Sequence, residues 1–202
     1  MEQDPTAQKI LKRVRGKGKG WVFSPKDLLD INNRNSIDVA LHHLCNDNIL
    51  IRLDRGIYYY PKTHPKLGTL SPDPLQIAQA IARQKGDIAF PDGAKALNML
   101  GLSTQVPAKN LYYTNFTDKT VTVGTQTITL SPSQIKTKRV NPTMDYLILQ
   151  ALRALGDGNI TDDIIRKCAK MASDKDKKRL QKQIPTLKGT WLTDAVRRIV
   201  QA

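Results

Sequence analysis

Apolar residues recur at helical spacing in residues 5–15 (PTAQKILKRVR), where Ile10, Leu11 and Val14 share one face. Asp4 is placed to cap that helix, and Pro5 suits its first position. The alternation Gly16-Lys17-Gly18-Lys19-Gly20 stops it, and Trp21-Val22-Phe23 reads as a short extended piece. Ser24-Pro25 opens a brief second helix, a capping side chain followed by Pro at N1, with Leu28, Leu29 and Ile31 turned inward. Asn32-Asn33 breaks it. A third helix is predicted over 34–47, with Ile37, Ala40, Leu41, Leu44 and Cys45 on one face and Asn35, Val39, His42, His43 and Asn46 on the other. Two β-like runs follow at 49–53 and 57–60, separated by the turn residues Asp54-Arg55-Gly56. Helix, short strand, short helix, helix and hairpin in that order predict a winged helix-turn-helix.

The pattern then lapses. Residues 61–74 (PKTHPKLGTLSPDP) hold four prolines and no periodicity, which predicts a linker or an irregular strap. Leu75, Ile77, Ala78, Ile81 and Ala82 predict a helix, residues 88–90 a short strand, and Ala94, Ala96, Leu97 and Leu100 another helix stopped at Gly101. Three or four strands are expected, at 110–115, 119–123 and 125–130 with 134–140 as the fourth, and Gly124 turns a hairpin. From Pro142 the pattern is helical: Met144, Leu147, Ile148, Ala151, Leu152 and Leu155 form one face, Thr161 and Ser173 cap the next two helices, and a last helix spans 190–200. Together these predict an α+β protein. The winged helix-turn-helix is expected at 1–66 and a C-terminal domain at 67–202, mixed α/β over 67–140 and helical over 141–202.

Charge sharpens this picture. The 202 residues carry 32 Lys and Arg against 18 Asp and Glu, a net charge of +14. The excess is spread along the chain, at +5 over 1–66, +4 over 67–140 and +5 over 141–202. Such a balance attracts polyanions. Cys45 and Cys168 stand apart in helical patterns with no C-x-x-C, which predicts two reduced thiols in a cytoplasmic protein. No apolar stretch follows the N-terminal charges, and no run approaches the roughly 18 apolar residues of a membrane span, so neither a signal peptide nor a membrane partner is expected.

The third helix is the candidate reader of base edges, because the major groove admits one helix and meets its N-terminal residues first. Asn33, Arg34 and Asn35 lie at that start; Arg pairs with guanine and Asn with adenine. Asn33 also suits the helix cap, and Asp38 is spaced to hold Arg34. Val39 is placed for a thymine methyl, and His42 and His43 for a base or phosphate. Lys17 and Lys19 between glycines, and Ser24 and Lys26 at the start of the second helix, are candidate phosphate contacts, and Arg52 and Arg55 on the hairpin suit a wing lying along the backbone or in the minor groove. The Walker spacing is absent, as is G-x-S-x-G, and His42, His43 and His64 lack metal-ligand spacing. No enzyme, metal or cofactor is therefore expected. Asp92 as the start of a nuclease site lacks its acidic–x–Lys partner, and Pro91-Asp92-Gly93 reads instead as the beginning of a helix. An RNA-binding or ribosome-associated basic module is the alternative to DNA binding.

Several stretches carry a resemblance. Residues 18–29 (GKGWVFSPKDLL), 55–61 (RGIYYYP) with 63–68 (THPKLG), 71–74 (SPDP) and 94–108 through Gly101-Leu102-Ser103-Thr104-Gln105-Val106-Pro107-Ala108 look like the AbiEi-like antitoxins of bacterial type IV toxin-antitoxin, or abortive-infection, systems. The match runs from about residue 9 to about 155, with a looser fit beyond. The resemblance implies a winged helix that binds inverted repeats in its own promoter and represses the operon. It implies a C-terminal domain that neutralises a nucleotidyltransferase-like toxin, without an obligatory stable complex. The family's reading helix often carries a basic residue where this chain has His43.

Overall fold

The computed structural model describes residues 5–115, 117–133, 143–187 and 189–202. Expectations that fall elsewhere, the Asp4 cap and a strand at 134–140, lie outside the described residues. The fold is α+β, with helices first, strands next and helices last. Two compact units are present: Met1–Ala89 with Lys109–Lys138, and Phe90–Ala108 with Arg139–Ala202.

In the first unit, α1 (Pro5–Lys17) buries Ile10, Leu11 and Val14. They pack with Phe23, Leu28 and the buried side of α2 (Arg34–Asn46), namely Ile37, Ala40, Leu41 and Leu44. Between these helices stands a 3-10 turn at Pro25–Leu28, where a longer helix was expected. Leu28 alone takes the inward place; Leu29 is 48 % exposed, and Ile31 is half-buried. Four residues of 3-10 geometry cannot present three apolar residues to one side.

Strand β1 (Val22–Phe23) pairs antiparallel with β3 (Ile57–Tyr59), which pairs antiparallel with β2 (Ile51–Asp54). Register Asp54↔Ile57 leaves Arg55-Gly56 as the two-residue turn, with Gly56 at φ +71°. Glycine takes that left-handed conformation without a Cβ clash. The segment expected to be a linker or an irregular strap carries paired strands. It forms a small hairpin, β4 (Thr63–His64) with β5 (Gly68–Thr69), tied down by the Tyr59 hydroxyl, which donates to the Leu70 carbonyl at 2.9 Å.

Helix α3 (Pro74–Gln84) starts at Asp73, whose carboxylate accepts the Leu75 N–H at 3.0 Å. Strands β7 (Asn110–Thr114), β9 (Gln126–Pro132) and β8 (Lys119–Val123) lie side by side in that order, β7 parallel and β8 antiparallel to β9. One core joins Ile77 and Ile81 of α3 to Tyr112, Ile128 and Leu130 of these strands, and to Val22, Ile57 and Tyr59 of the N-terminal sheet. That shared core corrects the boundary expected after residue 66. Residues 67–89 and the three strands belong with the winged helix-turn-helix because its sheet is apolar on a second face that they cover. Buried Asp87 fastens the strands, accepting the backbone N–H of Asn115 at 3.0 Å and of Thr117 at 2.8 Å.

The second unit comprises β6 (Phe90–Pro91), α4 (Gly93–Met99), α5 (Met144–Leu155), α6 (Asp162–Met171), α7 (Asp174–Gln183) and α8 (Thr190–Gln201). Its core runs from Ala96 and Leu100 through Ile148, Leu152, Ile165 and Leu180 to Leu192, Val196 and Ile199, with Trp191 half-buried against it. Cys168 is buried there, which pushes its thiol up to about 11. Gly93 lets α4 approach α5: a Cβ on it would lie 2.6 Å from the Ala154 Cβ. No helix is long and apolar enough to cross a membrane among the described residues.

Candidate nucleic-acid interface

Helix α2 begins where Asn33, in extended conformation, accepts the Ser36 N–H on its side-chain oxygen at 3.0 Å. That is the N-cap role, filled by a residue that is itself exposed. With one side of α2 buried, two stripes remain. Asn35, Val39, His43 and Asn46 follow one another at i, i+4, i+8 and i+11, and all four are exposed. Val39 is 54 % exposed, so this apolar residue stands outside the core on an otherwise polar stripe.

The second stripe, Arg34, Asp38, His42 and Cys45, borders a cleft of about 850 Å³. The β2–β3 hairpin lines its far side with Arg52 and Arg55, the end of α3 contributes Gln84 and Lys85, and Asp118 and Lys119 come from the start of β8. Arg34 Nε donates to Asp38 Oδ2 at 2.8 Å, as the spacing predicts, with about half of each side chain in solvent. An exposed i,i+4 pair of this kind is worth only about 0.3–0.5 kcal/mol, so Arg34 is readily exchanged to another anion. His42 is within 3.1 Å of the Asn46 side-chain amide. Burial pushes the Cys45 thiol and the Tyr58 phenol up, and nearby Arg52 opposes both shifts.

The hairpin is clamped rather than free. Gln84 Nε2 donates to the carbonyls of Arg55 and Gly56, each at 3.4 Å. Gly56 is buried, and a Cβ there would lie 2.4 Å from Gln84 Nε2. Lys119 Nζ reaches Asp54 Oδ2 at 2.7 Å; its hydrogen bond holds the Asp54 carboxyl below the usual range, against the opposing effect of burial. Arg52, Arg55 and Lys85 make no ion pair among the described residues.

Other expected contacts lie apart from this cleft. Lys17 ends α1 with its ammonium 6.0 Å from the Trp21 ring centroid, and Lys19 is exposed between Gly18 and Gly20, both at positive φ. Neither lines the cleft. Lys26 is exposed on the 3-10 turn, close to Gly86, whose Cβ would sit 3.4 Å from its Nζ. Ser24 is a correction. It is fully buried, and its hydroxyl and N–H both donate to Asp27 Oδ2, at 3.2 and 2.8 Å, so it has no surface to offer a phosphate.

Gln84, Lys85 and Lys119 were missed by sequence reasoning. Their only signal is local, a Lys-Gly at a helix end and a Lys opening a strand, and neither says that these elements meet the hairpin. Asp92 accepts the Lys95 N–H at 2.9 Å as the N-cap of α4, the helix start its sequence suggests. Among the described residues no three His, Cys, Asp or Glu side chains gather as a metal site would require.

The chain belongs to a family of unknown function, DUF6088, which it matches over residues 9–180. No curated protein matches it.

Proposed function

We propose that this protein is a cytoplasmic, sequence-reading DNA-binding repressor of its own operon, with α2 as the helix that enters the major groove. One observation carries the reading. The stripe of α2 that bears Asn35, Val39 and His43 is exposed, and the adjoining Arg34–His42 stripe faces a cleft lined by Arg52 and Arg55, which make no ion pair among the described residues. A helix of 13 residues with Asn and Arg at its first turn suits base edges there, and the arginines suit the flanking phosphates. The net charge of +14 supports attraction to a polyanion. The resemblance to AbiEi-like antitoxins supplies the operon, its inverted repeats and a nucleotidyltransferase-like toxin, which the C-terminal part of the chain would neutralise.

Footprinting on the upstream DNA tests the reading, with structured RNA of equal length as competitor. Protection of paired half-sites that resists the RNA supports it. Displacement by RNA at equal concentration would transfer the interface to RNA recognition. For the antitoxin role, co-expression with the neighbouring nucleotidyltransferase-like gene should restore growth, and Arg34→Ala should keep that rescue while losing repression.

A further inference from the structure

We infer that the phosphate backbone of a bound duplex runs through the cleft between α2 and the hairpin, where Lys85, which lies outside the winged helix-turn-helix, contacts it together with Arg52 and Arg55. The inference rests on the DNA-binding reading above. Two grooves of a duplex are separated by one sugar–phosphate strand. If α2 occupies the major groove, the strand at its edge meets whatever flanks the helix. On the Arg34–His42 side that is the cleft.

The charges suit a phosphate track. Arg34, Arg52, Arg55, Lys85 and Lys119 line the cleft against Asp38 and Asp118. Asp38 is already paired with Arg34, and Lys119 with Asp54. Arg52, Arg55 and Lys85 are exposed and make no ion pair among the described residues. A concave site with one dominant sign focuses its field and raises the local concentration of the opposite charge.

The clamp on the hairpin adds a second argument. With Gly56 buried beneath Gln84 and Asp54 held by Lys119, the Gly56 side of the turn is held down while Arg55 stays exposed. Held in this way, the hairpin presents its Arg52 and Arg55 side chains to the cleft. Lys85 also ends α3, where a cation favours the helix dipole. That role alone would affect stability and leave DNA binding untouched, so the two are separable.

The test uses the full chain and two labelled duplexes, its own upstream DNA and a scrambled sequence, titrated over a range of salt. Lys85→Ala should lower affinity for both duplexes alike and reduce the slope of log K against log salt by about 0.9, the value of one lost phosphate contact. Lys178→Ala, the same charge loss on exposed α7 of the second unit, should leave the slope unchanged. Lys119→Ala also releases Asp54, so Lys85→Ala is the decisive variant. An unchanged slope for Lys85→Ala, or an equal fall for Lys178→Ala, overturns the cleft as the backbone track while the DNA-binding reading stands. A wild type that binds neither duplex overturns both.

Discussion

Arg83 on α3 reaches Asp27 in the 3-10 turn, Nε to Oδ1 at 3.0 Å, and with its other arm donates to the Val22 carbonyl at 3.2 Å. Asp27 in turn accepts the Ser24 N–H at 2.8 Å. One carboxylate therefore both caps the first turn of the helix-turn-helix and fixes it to α3. Asp27→Ala removes both functions and should destabilise the protein by about 1–2 kcal/mol. Arg83→Ala removes a partly exposed pair and should cost about 1 kcal/mol or less. Urea unfolding should show the midpoint falling in that order with the m-value unchanged.

The core shared by Val22, Ile57, Tyr59, Ile77 and Ile81 means that the winged helix-turn-helix is not self-sufficient. A fragment of residues 1–66 should melt at lower temperature than the full chain and bind a hydrophobic dye, because one face of its sheet is uncovered. A fragment that melts as high as the whole protein, without dye binding, would contradict the shared core.

The ion pair at the hairpin gives a pH dependence with a definite sign. Lys119 lowers the Asp54 carboxyl in the folded state. Its stabilisation is present above the unfolded carboxylate value of about 3.9 and is lost as pH falls through the lower folded value. Asp54→Asn should therefore be less stable than wild type at neutral pH, by about 0.5–1 kcal/mol for a pair one-third exposed. That difference should vanish in strong acid. Denaturation followed from pH 7 down through the carboxylate range checks it.

In the second unit the close approach of α4 to α5 depends on Gly93. Gly93→Ala places a methyl against Ala154 Cβ and 3.0 Å from the Gln150 carbonyl, and overpacking of this kind costs about 1–3 kcal/mol. Alanine normally favours a helix over glycine. A stabilised variant in thermal melting would show that the helices separate freely.

Periodicity made α1, α2, α3 and the C-terminal helices legible, because each buries one face at helical spacing and most begin at a capping side chain. The Asn33 cap and the Arg34–Asp38 pair were readable for the same reason: both are set by residues three or four apart. What was hidden depends on long-range packing. Ser24 is the exception, because its bond to Asp27 spans only three residues and the Ser-x-x-Asp spacing itself announces a capping box, whereas Lys85 and Lys119 join Arg52 only through folding. The hairpin at Thr63–His64 and Gly68–Thr69 escaped because two-residue strands carry no alternation to read.

Sequence reading by α2 is the property on which the proposed repressor depends. Equilibrium titration of the protein against its own upstream DNA and a scrambled duplex, at two salt concentrations, measures this directly. The upstream DNA should be preferred by about a thousandfold or more at physiological salt. Arg34→Ala should narrow that preference at one base position by about 1–3 kcal/mol, whereas Lys19→Ala should weaken both duplexes equally. Equal binding to the two duplexes that disappears as salt rises would contradict sequence reading by α2, leaving only attraction between a basic surface and a polyanion.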